Sequence, residues 1–420
     1  MTTAGSTIYY DPYDFEIDTD PDPVWRRLRD EAPLYYNERY DFYAVSRFDD
    51  VERASVDWRT YISSRGSVLE LIKAGVDIPP GSIIFEDPPT HDIHRALLSR
   101  VFTPRKVSAL EPKVREFCAR SLDPLVASGG FDFIADLGAQ MPMRTIGMLL
   151  GIPEQDQEAI RDRIDDGLRL EEGTMPDDPG RFEEDTTFAD YIDWRADHPS
   201  DDLMTELLQA EFDDHTGVRR RLSREEVLGY VGLLAAAGNE TTTRLIGWTG
   251  KVLADHPDSR AELVDDPGLI PNAVEELLRY ESPSPVQSRY VTRDVELHGR
   301  TVPAGSVMVL LTASGNRDER RFADADRFDI RRRIDHHLAF GYGIHFCMGA
   351  ALARLEGRIA LEEVLRRFPT WEIDTDRAVQ ARTSTVRGWE RLPVVVPGGG
   401  RCSAGLVFPG RRPISTSTSI

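Results

Sequence analysis

Apolar residues recur at three- and four-residue spacing through most of this chain, so helices dominate what the pattern predicts. The clearest runs cover 105–125, 154–169, 188–211 and 352–368. One further run starts at Tyr230, is apolar and alanine-rich, turns abruptly polar at Gly238-Asn-Glu-Thr-Thr-Thr243, and continues to Trp248 without a proline. It predicts a long buried helix, with Ser223 and Glu226 three apart as a capping box at its start. Short β-branched and aromatic runs at 42–45, 289–297, 306–311 and 392–396 predict strands. Pro303-Ala-Gly305 predicts a turn between two of them. The expected fold class is mainly α with small β-sheets. Length alone suggests two or three domains, but no linker-like stretch divides 8–397 and no internal repeat is evident.

Composition narrows the function classes. Acidic residues outnumber basic ones 72 to 51, a formal charge of -21, which favours solubility and argues against nucleic-acid binding. Much of the excess falls between Glu154 and Asp214, read here as a solvated helical face and loop. No stretch approaches the roughly eighteen apolar residues of a membrane span, and no charged-then-apolar leader opens the chain. A soluble, cytoplasmic enzyme is expected. Three cysteines in 420 residues do not make a disulfide framework.

The most distinctive chemistry lies in Phe340-Gly-Tyr-Gly343-Ile-His345-Phe-Cys347-Met-Gly349, a glycine-rich loop running into a helical pattern. A helix N-terminus behind Cys347 supplies partial positive charge that lowers a thiol pKa. The glycines let backbone approach a large flat ligand, and His345 adds a donor. Against this, a lone cysteine is often a small buried hydrophobe. A zinc site would need further cysteine or histidine close by, and only His345 qualifies.

That loop resembles the haem-thiolate loop of cytochromes P450, Phe-x-x-Gly-x-His/Arg-x-Cys-x-Gly, with Phe340, Gly343, His345, Cys347 and Gly349 filling every defined position. The resemblance implies Cys347 as proximal iron ligand of haem b, with O2 as co-substrate. Met348 stands where many relatives carry leucine. The polar break in the long helix is similar to the family's Ala-Gly-x-Asp/Glu-Thr motif, mapping onto Ala237, Gly238, Glu240 and Thr241. By resemblance Gly238 leaves room for oxygen and substrate, Thr241 hydrogen-bonds at the oxygen site, and Glu240 relays protons. Val274-Glu275-Glu276-Leu-Leu-Arg279 resembles the Glu-x-x-Arg helix, where Glu276 and Arg279 would form a buried structural triad with Arg332. Taken by spacing alone, Glu275 could pair with Arg279 equally well. His91, Arg95, Arg289 and His345 match the haem-propionate anchors.

The resemblance runs from Asp20 to Val394 and implies one P450 domain over 1–397, with 398–420 a flexible tail and Cys402 an incidental thiol. Substrate-lining segments would include Val68, Leu69, Leu233, Leu234, Ala237, Val286, Thr385 and Val386, mostly aliphatic, which suits an apolar lipid, terpenoid or steroid-like molecule. Electrons would come from NAD(P)H through a ferredoxin reductase and a ferredoxin, and the protein would act as a monomer. Arg100, Arg105, Arg331, Arg333, Arg354 and Arg358 form the expected basic docking patch. Two other readings stand beside the monooxygenase: a peroxide-using peroxygenase of the same fold, and a haem-binding sensor or carrier without turnover.

Overall fold

The computed structural model describes residues 8–397 apart from 79, 101, 171–174 and 177–185. Seven helices carry the site: α1 (Thr90–Leu98), α2 (Glu111–Leu122), α3 (Met141–Leu150), α4 (Glu154–Leu168), α5 (Arg224–Asp255), α6 (Ile270–Tyr280) and α7 (Ala350–Arg367). The spine is α5, 32 residues long and buried along most of its length. Its start follows from the predicted capping box: Ser223 Oγ accepts from the Glu226 N–H at 3.1 Å, and the Glu226 carboxylate accepts from the Ser223 N–H at 2.7 Å. Helices α3 and α7 pack against α5, so the cysteine loop reaches the same core through α7.

Two predicted helices are broken. The 105–125 run divides into Pro104–Ala109 and α2, with Pro112 in the first turn of α2, where the missing N–H costs nothing. The 188–211 run divides into Ala189–Asp197 and Leu203–Gln209 around His198-Pro-Ser-Asp-Asp202, because proline cannot continue a helix.

A five-stranded sheet lies to one side: β1 (Leu34–Asn37), β2 (Phe42–Val45), β3 (Tyr61–Ile62), β4 (Gln287–Val291) and β5 (Val307–Leu310), in the order β1-β2-β5-β4-β3. All its pairs are antiparallel except β2 with β5, where Ala44 faces Val309. The predicted 289–297 strand divides into β4 and a separate Val295–Leu297 strand, which pairs with Arg300–Val302. The predicted 392–396 strand is Pro393–Val395, paired with Gly130–Asp132. The expected tail, 398–420, with Cys402, lies outside the described residues.

Candidate active site

The cysteine loop is shaped by two left-handed glycines. Gly341 and Gly343 have φ of 68° and 72°, and a Cβ on Gly343 would lie 2.5 Å from the Ser55 carbonyl oxygen. Any other residue there would be strained and would collide with backbone. The Cys347 N–H donates to the Phe340 carbonyl at 2.9 Å, tying the loop to a buried aromatic. The Ala350 N–H at the start of α7 donates to the Cys347 carbonyl at 3.4 Å. Gly349 stays close to the sulfur, with a Cβ placed 3.8 Å from Sγ.

Protein crowds most sides of Cys347, yet its remaining face is exposed. Burial pushes the thiol pKa up, outweighing the helix N–H groups, Arg95 and Arg354, which pull it down. The expected lowering by the helix end is present but loses to desolvation.

Around the loop, cationic and donor groups gather with few acceptors; one carboxylate, Asp92, stands 3.0 Å from His91 Nδ1. His91 and Arg95 stand one turn apart on α1. The His91 and His345 rings meet edge-on at 4.7 Å, and both Nε2 atoms are buried without a hydrogen-bond partner. Arg95 donates to the Phe346 carbonyl at 2.6 Å. Arg289, on β4 and 4% exposed, reaches only the Ser288 carbonyl at 2.7 Å and Gln287 Oε1 at 3.2 Å. Burial pushes its guanidinium down to about 10, with Asp87 the charge opposing that. His345 is pushed down to about 3, first by burial and then by Arg289, His91 and Arg95. An uncompensated buried guanidinium costs several kcal/mol and each orphaned polar atom roughly 1–3 kcal/mol. A ligand bearing two carboxylates would relieve every one of these costs. The chemistry of the four predicted propionate anchors therefore fits such a ligand.

On α5, accessible positions between residues 226 and 250 form a single stripe that includes Leu233, Ala237 and Thr241, each four apart. Met348, beside the cysteine, packs into the same apolar cluster as Leu233 and Leu234, so stripe and loop adjoin. Thr241 Oγ1 donates to the Ala237 carbonyl at 3.0 Å. Thr242 and Thr243 turn into the core, donating to Glu356 at 3.4 Å and to the Gly138 carbonyl at 2.6 Å. The bare face of Gly238 meets Ile146 of α3, where a Cβ would sit 3.0 Å away. Its lack of a side chain lets α5 close on α3, a constraint the sequence reading did not contain. Glu240 is buried and paired with Arg244 at 2.7 Å.

Behind the loop, Glu276 and Arg279 form a bidentate pair at 2.7 and 2.8 Å with both side chains fully buried. Arg332 joins Glu276 at 3.1 Å and reaches the Asp324 and Arg327 carbonyls, both at 2.9 Å. Arg279 also donates to the Asn316 and Ala325 carbonyls at 2.8 Å. The triad so pins the irregular stretch before the cysteine loop. Glu275 takes no part. Burial alone would raise its carboxyl, but His337 and Arg354 hold it down to about 2.

The eight predicted substrate residues divide. Val68, Leu69, Val286 and Thr385 come from three separate segments to line one cavity with Ser67 and Gln287. Val286 and Val386 line an adjoining one with Tyr10 and Trp25. Leu233 and Ala237 lie on the open stripe of α5, whereas Leu234 is a core residue. Sequence reasoning missed Glu356, a fully buried carboxyl on α7 whose pKa burial raises to about 8. The available signal was an acid on the apolar stripe of α7, between Leu352 and Ala360.

Comparison with known proteins decides the family. Residues 268–389 match the family model described as Cytochrome P450. The chain is 39% identical to cytochrome P450 123 of Mycobacterium tuberculosis over 92% of its own length and 96% of that protein's. The chain belongs to the cytochrome P450 family. It is also 36% identical to cytochrome P450 monooxygenase PikC of Streptomyces venezuelae, covering 89% of this chain and 91% of that one. A solved structure of a P450 EryK mutant with erythromycin B superposes with a TM-score of 0.82 at 34% identity, over 92% of this chain and 98% of that one. A P450 of this kind is an oxidoreductase that uses haem iron and O2, and among its described residues no helix is long and apolar enough to cross a membrane.

Proposed function

We propose that this P450 inserts one oxygen atom from O2 into a C–H or C=C bond of a largely apolar small molecule in the cytoplasm. The carrying observation is the convergence of the unpaired Nε2 atoms of His91 and His345 and the buried Arg289, which has no carboxylate partner, beside an exposed-faced Cys347. Arg95, Arg289, His91 and His345 would hold the two haem carboxylates, and Cys347 the iron. When bound, the haem supplies oxygen activation, with the thiolate's electron donation favouring O–O cleavage. The chain's own residues do the rest. Thr241 presents a hydroxyl on the open stripe, able to hold a water there. Glu240, the preceding residue, relays protons from solvent. The aliphatic lining from Val68, Leu69, Leu233, Ala237, Val286 and Val386 excludes water and orients an apolar body, with Thr385 and Gln287 as polar handles.

The test is optical. Reduced protein with carbon monoxide is expected to give the red-shifted Soret band, and Cys347→Ala to lose it; a normal-position band in the parent, or retention of the shifted band in the variant, overturns the reading. The Glu240-Thr241 pair favours the monooxygenase over a peroxygenase or a carrier without turnover, neither of which needs an acid and alcohol at the oxygen site. Electrons are assigned to an acidic ferredoxin and its reductase.

The docking patch is smaller than expected. Arg354 is countered by Glu275, Arg358 by Glu111 and Glu362, and Arg331 by Glu262. Arg100, Arg105 and Arg333 are exposed and make no ion pair among the described residues. Next to Arg105, a groove of about 300 Å³ lined by Pro104, Val107, Pro271, Ala351 and Leu355 offers an apolar contact.

A further inference from the structure

Glu240 belongs to a buried polar cluster with Asn239 and Arg244 of α5. A cavity there is bounded by Arg161, Asp165 and Arg169 of and beside α4, by Asn239 and Arg244 of α5, and by Arg382 and Glu390 from the C-terminal part of the chain. Three polar atoms of its lining residues are buried without a protein partner: Asp165 Oδ1, Asn239 Oδ1 and Arg244 Nε. Such a concentration of unmet hydrogen-bonding groups is the signature of a hydrated cavity, since each would otherwise carry its full desolvation cost. The Asp165 carboxyl lies within hydrogen-bonding reach of the Glu240 carboxyl. Two carboxyl groups in such contact hold one proton between them. Arg244 Nη2 donates to Glu240 at 2.7 Å and Asn239 Nδ2 at 3.5 Å, while Asp165 has no such donor at its buried Oδ1 and holds the proton.

We propose that Asp165 is the outer carboxyl of a two-carboxyl relay that carries protons from this hydrated cavity to Glu240. In each passage the Asp165 O–H gives its proton to a Glu240 carboxylate oxygen. Asp165 then takes a proton from hydronium in the cavity, leaving water. One proton moves inward and no electron is exchanged. Asp165 acts through Glu240 and touches neither substrate nor haem; it is a positioning and charging residue. Burial, then the Glu240 hydrogen bond and charge, push the Asp165 carboxyl up to about 8, against the pull of Arg244 and Arg161. The groups facing it are therefore Glu240 and Arg244 on α5, Arg161 on its own helix, and Arg169, Arg382 and Glu390 across the cavity. This inference rests on the reading of Glu240 as proton relay.

The experiment uses the holoenzyme. Infrared difference spectra across the pH range follow the carboxylic C=O band, and oxygen consumption with excess ferredoxin and reductase is measured in H2O and D2O. The parent is expected to show a carboxylic band that titrates away near pH 8, is absent in Asp165→Asn and titrates at lower pH in Glu240→Gln, which removes the contributions that rank after burial. Glu356→Gln, which removes the other raised carboxyl, must leave that band in place. Asp165→Asn is expected to lower oxygen consumption by about tenfold and enlarge its solvent isotope effect, while Asp165→Glu restores both. Persistence of the band in Asp165→Asn, or parent-like oxygen consumption and isotope effect, overturns the relay role of Asp165. Parent-like behaviour of Glu240→Gln would instead overturn the Glu240 reading on which it rests. The carbon monoxide spectrum of each variant separates either result from simple misfolding.

Discussion

Single residues in this protein hold energy that only a bound group can release, and Arg289 is the clearest. A guanidinium 4% exposed with no carboxylate partner is costly in the free chain and strongly binding toward an anion. Arg289→Met is expected to speed haem loss to a scavenger protein by roughly 10- to 100-fold, the equivalent of about 1.5–3 kcal/mol for a charge-assisted hydrogen bond. The same variant should melt at higher temperature than the parent when both lack haem; equal haem loss would refute the assignment. Thr241→Ala, by contrast, should leave haem bound and release electrons as peroxide instead of product, read as peroxide formed per NAD(P)H consumed. Glu356 sets a pH dependence. Its folded pKa is raised from 4.5 to about 8 by burial, so its contribution to stability is fully present below the unfolded value and is lost as pH rises through the folded one. Unfolding midpoints of the parent should fall across that window, by an amount of order a few kcal/mol, and Glu356→Gln should flatten the fall. The sequence made the motif residues legible because each has a fixed spacing to Cys347 or Thr241. It could not reveal Glu356 or Asp165, whose importance comes from neighbours on other helices. Nor could it weigh the helix end against burial at Cys347, since desolvation is a property of the packed site.

At the scale of elements, local rules were readable wherever the cause was local. The capping box at Ser223 and Glu226 and the strand at Phe42–Val45 follow directly from residue pattern. The predicted helices over 105–125 and 188–211 failed at Pro112 and Pro199, which apolar periodicity overlooks because a proline changes hydrogen bonding without disturbing the spacing. Partner choice was legible only in part. Glu276 and Glu275 both stand at helical distance from Arg279, and packing of α6 against α7 decides between them by giving Glu275 to Arg354. Arg279→Ala would leave Glu276 in a fully buried site with Arg332 as its sole cation. Breaking a buried pair costs roughly 3–5 kcal/mol, so a matching loss is expected in urea unfolding, together with poor haem incorporation. Arg279→Lys should rescue little, because one ammonium cannot replace the fork that binds Glu276 and two carbonyls at once. Full stability in either variant would show that the triad does not pin the stretch before the cysteine loop.

For the whole molecule, the relevant quantity is how charge is distributed over a chain whose formal charge is -21. An acidic ferredoxin approaching it meets net repulsion, so productive encounter depends on the few cations whose fields are not already cancelled. The six arginines expected from sequence reduce to Arg100, Arg105 and Arg333 once ion pairs with Glu275, Glu111, Glu362 and Glu262 are counted. Sequence could place arginines near the cysteine loop but could not tell a free one from a paired one, because every partner is distant along the chain. If this reduced patch steers association, the second-order rate of reduction by ferredoxin must fall as salt rises, since exposed charges are screened over about 10 Å at 0.1 M. Replacing Arg100, Arg105 and Arg333 together by alanine should lower the low-salt rate by about tenfold or more and flatten its salt dependence. Replacing Arg354 together with its partner Glu275 should change that slope little, because the pair removed carries no net charge. A salt-independent rate in the parent, or an unchanged slope in the triple variant, would mean that the electron donor docks elsewhere.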